Sequence, residues 1–193
     1  MAPQAQTPRL DRTSAAILDA AAHVLASEGA TASMAEVAAA AGIGRATLYR
    51  HYPTREALLE ALAAAAVADA GARLADAGLD RAPVDEALAR IVRSLASVGE
   101  RYAVLAQERI APDETEVERL LRRPIRAVFQ RGRREGTIRG DLPEELLLDL
   151  FGGLLQAAVQ LVVEGRAGVE DAAATATALF LEGAAGASAA ERR

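Results

Sequence analysis

The chain has no cysteine among its 193 residues, so disulfides, thiol redox sensing and cysteine-held zinc or iron–sulfur sites are excluded. Any signal it reads is read by non-covalent contact or by another side chain. Tryptophan is absent too, and aromatics reach only 3% against 51% hydrophobic residues. With so few rings and so much alanine, a core has to be built from Leu and Ala, which favours closely packed helices over sheets and predicts an all-α fold. Only two His are present and no second acidic cluster lies on a facing helix, which argues against the paired Asp-rich or Glu-x-x-His motifs of helical metal enzymes. Long apolar runs are also missing. The opening MAPQAQTPRLDR has no apolar stretch behind a basic start, and the most apolar later segment, residues 154–163, is interrupted by Gln156 and Gln160. These features point to a cytoplasmic protein that does not engage a membrane. The length suits a small head and one larger domain.

Positive charge is scarce as well. The formal net charge is −5 and the sequence pI is near 5.2, whereas dedicated nucleic-acid binders are often basic. Neither part compensates: residues 1–60 hold five Arg against six acids, and residues 61–193 hold seventeen Arg against twenty-one. One stretch stands apart. Residues 37–55 contain no Asp or Glu, yet Arg45, Arg50, His51 and Arg55 cluster there. Attraction to phosphate acts over roughly 8 to 10 Å in physiological salt, so a local patch outweighs the bulk balance.

That stretch lies within residues 33–59, SMAEVAAAAGIGRATLYRHYPTREALL, which reads as two short helices about a tight turn with a third helix behind. Ser33 and Glu36 are spaced as a capping box, which starts the first of these helices at Met34. Gly42 ends it, being the residue best able to take positive φ past a last turn, and Ile43 is an apolar plug. The second helix runs from about Gly44 to Tyr49 or Arg50. At 100° per residue it gathers Arg45, Ala46, Tyr49 and Arg50 on one face and turns Leu48 the other way. Arg can fork onto guanine, Tyr can donate to phosphate, and Ala lets the backbone approach a thymine methyl. Pro53 and Thr54 stop and restart the chain. With Thr54 as N-cap, Arg55 lies beside free N–H groups at a helix start, an arrangement suited to phosphate.

The segments Ala41-Gly42-Ile43-Gly44, Thr47-Leu48-Tyr49, His51-Tyr52 and Arg55-Glu56-Ala57-Leu58-Leu59 resemble the signature of the TetR family of bacterial regulators. The resemblance extends upstream through Ile17-Leu18-Asp19-Ala20-Ala21 and Leu25-Ala26-Ser27-Glu28-Gly29, covering roughly residues 12–62. Three departures occur: Gly44 where a polar residue is common, Arg55 for the usual Lys, and Tyr52 for the more frequent Phe. Gly44 removes any base contact through a side chain at that position. The resemblance implies a ligand-responsive, DNA-binding transcriptional regulator without catalytic residues or a cofactor. In its repressor form it leaves a palindromic operator when a small-molecule effector binds; activation is the near alternative. Arg45, Ala46, Tyr49 and Arg50 would face the major groove, with Ser33, Thr47, His51 and Arg55 holding phosphates. The implied organisation is an arm at 1–11, a helix-turn-helix domain at 12–58, and a ligand-binding and dimerisation domain at 59–193. Arg9 and Arg12 flank the end of the arm, read as a solvated segment with minor-groove contact as the second reading.

Beyond the head, helical periodicity continues. A long Ala-rich helix is expected over 54–77, and the next opens at Pro83 with Leu88, Ile91, Val92 and Leu95 on one stripe. A separate connecting helix is expected from Tyr102 to Ala111-Pro112. Asp113 or Thr115 would cap a helix over 117–135 that Pro124 kinks, and a turn at 136–143 leads into two final helices at 144–164 and 169–183. In these two, Leu147, Leu150, Phe151, Leu154, Leu155, Ala158, Leu161 and Val162, with Ala172, Thr175, Ala176, Leu179 and Phe180, are apolar over more than one core-facing stripe. By the resemblance, they imply a homodimer built as a four-helix interface.

The effector is the least legible part. Arg90, Arg93, Tyr102, Gln107, Glu108, Arg126, Gln130, Gln156 and Gln160 are polar groups on otherwise apolar helices, and Tyr102, Gln107 and Gln156 are favoured as pocket residues because they are uncharged with apolar neighbours. Few aromatics mean few stacking partners for a flat drug, which favours an aliphatic or small polar effector. His23 reads as a packed or partly exposed side chain. The acids Asp113, Glu114, Glu116 and Glu118 read as a helix start that suits the dipole, with no His to suggest a metal, and Arg131, Arg133 and Arg134 as a solvated helix end. A helical enzyme of the isoprenoid-synthase or hydroxylase type lacks its paired acidic motifs here, and a protein-docking module leaves the acid-free arginine stretch unexplained.

Overall fold

The computed structural model describes residues 12–107 and 110–184, with the side chains at 30, 100–104, 106, 107 and 184 left aside. The described residues fold as helices in the order α1 (Arg12–Glu28), α2 (Met34–Ala40), α3 (Arg45–His51), α4 (Arg55–Asp76), α5 (Val84–Gln107), α6 (Glu114–Val117), α7 (Arg123–Glu135), α8 (Glu144–Val163) and α9 (Val169–Ala184). The all-α expectation holds among them.

The head is closed by local chemistry. The Ser33 hydroxyl accepts from the Glu36 amide at 3.3 Å, and the Glu36 carboxylate accepts from the Ser33 amide at 2.7 Å, so the expected capping box starts α2. Gly42 takes φ +66°, which no side chain beyond Gly adopts cheaply, and this reverses the chain between α2 and α3. Thr54 accepts from the Ala57 amide at 3.1 Å and caps α4. Around these turns Ile17, Leu18, Ala21, Leu25, Val37, Leu48, Leu58 and Leu62 form one buried cluster, with Ile43 packed against it. The cluster reaches along α4 to Ala63 and Ala70 and takes in Val98 and Leu105 of α5, so the head's core extends past residue 58.

A second cluster makes the body, drawing on Leu74 at the far end of α4, Leu88, Ile91 and Val92 of α5, and the inner faces of α7, α8 and α9. The chain's three Phe residues meet here. Phe129, Phe151 and Phe180 have ring centroids 5.1 to 5.5 Å apart in edge-on or tilted pairs, which adds quadrupolar attraction to their burial.

Two expected elements differ. α5 runs unbroken from Val84 to Gln107, so no separate helix begins at Tyr102; no proline lies between Pro83 and Pro112, and nothing else there stops a helix. Pro124 lies within helical backbone that runs without a break through α6, a π-helical turn at Glu118–Arg122 and α7, and the widened turn just before it accommodates the missing N–H. Asp113 is the cap of α6, accepting from the Thr115 amide at 2.7 Å and the Glu116 amide at 3.3 Å.

Candidate nucleic-acid interface and effector cavity

α3 is seven residues long and carries its burial on one side. Leu48 is 0% exposed and anchors the helix in the head core, worth about 1.5 to 3 kcal/mol of apolar burial. Arg45, Ala46, Tyr49 and Arg50 are exposed on the opposite side, and Thr47 is half-buried between them. Tyr49 keeps 48% of its surface open. For a large amphipathic side chain on a packed domain, that exposure leaves the ring free for a partner.

The expected phosphate-holding residues are more constrained. The Ser33 hydroxyl also donates to Glu36 at 2.6 Å, so the side chain is committed to its cap, and these Ser33 hydrogen bonds hold the Glu36 carboxyl below its ordinary value. His51 ends α3 with Nδ1 3.1 Å from the Ser14 hydroxyl, joining α3 to the first turn of α1. Arg55 is half-buried and donates through Nη1 to the Ala32 carbonyl, tying the start of α4 to the segment before α2.

A cavity of about 440 Å3 opens between α5, the π-helical turn, α7 and α8. Small-molecule sites span roughly 300 to 1,000 Å3. Leu95, Val117, Leu121, Ile125, Leu148, Phe151 and Leu155 make its walls apolar, and Glu118, Arg122, Arg126, Glu145 and Asp149 bring charge to it. Arg126 donates to Glu118 at 2.6 Å and lies 3.5 Å from Glu145, and Glu118 is the first cause holding its guanidinium above the ordinary value. Arg122 donates to Glu114 at 2.9 Å.

The family model for bacterial regulatory proteins of the tetR family matches residues 17–62. The HTH-type transcriptional repressor LfrR of Mycolicibacterium smegmatis is 33% identical over 163 residues, spanning 84% of this chain and 86% of LfrR. This chain belongs to the TetR family. A solved structure of LfrR in complex with proflavine, from Mycobacterium smegmatis, superposes with a TM-score of 0.69 at 30% identity, covering 90% of this chain and 97% of that one. PfmR of Thermus thermophilus, at 24% identity and a TM-score of 0.69, shares the fold over 89% of this chain and 98% of its own. This TetR-family protein is a DNA-binding transcriptional regulator.

In this regulator the sequence-derived pocket residues fall unevenly. Tyr102 and Gln107 have side chains outside those described. Gln156 is exposed and does not line the cavity; it shares the α8 stripe of Glu145, Asp149 and Gly152 but sits one turn beyond. Of the wider polar set, Arg126 does line it. Arg90 and Arg93 instead close on Glu86 at 2.9 and 2.7 Å, and Arg90 also donates to the Ala77 carbonyl. Arg131 and Arg133 are not a solvated helix end: Arg131 donates to the carbonyls of Leu79 and Asp80, Arg133 to those of Gly140 and Leu142, so they pin α7 to the neighbouring turns. The two last helices also divide. Leu147, Phe151, Ala158, Ala172, Ala176 and Phe180 are core, whereas Leu146, Leu150 and Leu179 are 47 to 57% exposed. α8 is apolar enough in length and composition to cross a membrane, yet only 17% of it is buried within the chain. In a water-facing helix, that much open apolar surface calls for a partner.

Proposed function

We propose that this chain is a repressor that sits on a palindromic operator as a homodimer and leaves it when an effector enters the α5–α8 cavity. The observation that carries the DNA contact is the one-sided burial of α3, with Leu48 fully sealed and Arg45, Ala46, Tyr49 and Arg50 facing out. In this reading those four meet base edges and phosphates in the major groove, and Ser33, Thr47, His51 and Arg55 border the backbone. The head is taken as residues 12–58 and the ligand-binding and dimerisation domain as 59–193, with α4 shared between their cores. The exposed Leu146, Leu150 and Leu179 supply the dimer face on α8 and α9, and the site of action is the cytoplasm. The proflavine held by LfrR supports a small-molecule effector for this relative too.

The same geometry suggests how the cavity reaches the DNA. Val117, Glu118, Leu121 and Arg122 line it, and Leu120, between them in the π-helical turn, presses against Gly71 of α4. A Cβ on Gly71 would stand 2.9 Å from the Leu120 Cβ, so only a glycine admits this approach. An effector that shifts the turn therefore shifts α4, whose first turn carries the head, and the spacing of two heads changes with it. Selection from random duplexes with the purified full chain, followed by release with candidate small molecules, tests the reading. An enriched inverted repeat that the protein quits on effector binding is expected; selection with no dyad symmetry, or no selection at all, overturns it.

A further inference from the structure

We infer that the α5–α8 cavity takes a hydrophobic organic cation, with the Asp149 carboxylate as its counter-charge; this rests on the reading of the cavity as the effector site. Among the described residues, the lining carries three acids, Glu118, Glu145 and Asp149, against two bases, Arg122 and Arg126. Both bases are already matched. Arg126 is held by Glu118 at 2.6 Å with Glu145 at 3.5 Å and Glu144 at 3.9 Å, and Arg122 is held by Glu114 at 2.9 Å. An anionic guest would have to draw Arg126 away from three carboxylates. Asp149 is left over, with no hydrogen bond or ion pair to any described residue.

Its position makes the surplus matter. Glu145 and Asp149 are four residues apart on α8, so the two carboxylates lie one above the other on the stripe that faces the cavity. A guest cation lodged beside Asp149 supplies there the counter-charge that Arg126 gives Glu145, while its hydrocarbon part covers Leu95, Leu121, Ile125, Leu148 and Leu155. A neutral guest gains the apolar contacts alone. Among the described residues Phe151 is the one ring at the cavity, and the remaining apolar walls are aliphatic. The wider field acts in the same direction, since residues 61–193 carry seventeen Arg against twenty-one acids and the chain is −5 overall.

Three probes with the same tail separate the cases: octyltrimethylammonium, octyl sulfate and 1-octanol, each titrated calorimetrically into the full chain below its micellar concentration. The cation is expected to bind at least about tenfold more tightly than either of the others, and Asp149→Asn to remove most of that advantage. Equal or tighter binding of octyl sulfate or octanol overturns the charge assignment, as does an Asp149→Asn variant that keeps the full preference. Failure of all three to bind a folded protein overturns it too. Gly152→Leu tests the underlying site separately: Gly152 lines the cavity and a Cβ there meets nothing within 4 Å, so a side chain has room to enter it, and a thermal melt checks that the variant is folded. Loss of binding by every probe that binds the parent is expected from Gly152→Leu. Unchanged binding would refute the cavity as the effector site, whichever charge is preferred.

Discussion

Gly71→Ala is a one-carbon change that tests the link between cavity and head. Alanine in place of a mid-helix glycine favours α4 by about 0.8 to 1 kcal/mol. Against this, the new Cβ stands 2.9 Å from the Leu120 Cβ, 3.3 Å from its Cδ2 and 3.4 Å from its Cγ. The nearest atom is the root of that side chain, not a mobile tip, so a rotamer change does not relieve the clash and the π-helical turn has to move. Overpacking of this kind costs about 1 to 3 kcal/mol. The net is a loss of up to about 2 kcal/mol, concentrated in the arrangement that keeps the turn against α4. If that arrangement is the one fitted to the operator, a net loss of about 1 kcal/mol weakens DNA binding roughly fivefold, and about 2 kcal/mol roughly thirtyfold. The effector response should shrink in step, because part of the displacement has already occurred. Fluorescence anisotropy on operator duplex, with and without effector, reads both, and a thermal melt reads the stability. Gly99→Ala is the control. Its Cβ would stand 2.3 Å from the Val159 Cγ1, a clash between α5 and α8 that lowers the melting temperature away from α4. Operator affinity and effector response within twofold of the parent in Gly71→Ala would refute the coupling, as would an equal loss of affinity in Gly99→Ala.

Further outcomes can be checked alongside. Arg45→Ala should cost about 1 to 3 kcal/mol per half-site and relax base preference at one position, visible as a flattened column in a duplex selection. Arg55→Ala should lower the slope of log K against log salt by about one per protomer. It should also lower the melting temperature, because the bond to the Ala32 carbonyl is lost, and bonds to charged groups are worth about 1.5 to 3 kcal/mol. Asp141 is held down to about 2, first by its hydrogen bond from Arg139, so its stabilisation is present above the ordinary value of 3.8 and is lost as pH falls toward 2. Arg139→Gln should therefore make the melting temperature fall less steeply between about pH 4 and pH 2. Leu150→Glu combined with Leu179→Glu places charge on residues 56% and 57% exposed within one chain. Sedimentation should then report monomer, with operator binding lost, and a stable dimer in the double variant would refute the α8–α9 interface.

What the sequence made legible is what depends on neighbours in the chain. The Ser33–Glu36 box, the positive φ of Gly42, the Thr54 cap and the sidedness of α3 all follow from residues within four positions of one another, and each stands where the pattern put it. Arginine is where local reasoning stops. Arg55 reaches a carbonyl 23 positions away, and Arg131 reaches two more than 50 positions away, and no spacing rule announces a backbone acceptor at that distance. A run read as solvated charge thus proves to be a set of clasps. Pro124 shows the complementary limit: its missing N–H forbids an ordinary helix interior, a kink and a widened turn both answer that constraint, and the local sequence does not announce the π-helical turn that stands just before it. The cavity inherits all of this. Its walls come from four elements whose offsets along their axes are set by such contacts, so periodicity found the α8 stripe but not the stretch of it that meets the cavity: Gln156 lies two turns beyond Asp149. Favouring uncharged side chains for a pocket concealed the acids. Once Arg122 and Arg126 are seen to be matched by Glu114, Glu118 and Glu145, the remaining carboxylate is the feature that distinguishes one effector charge from another.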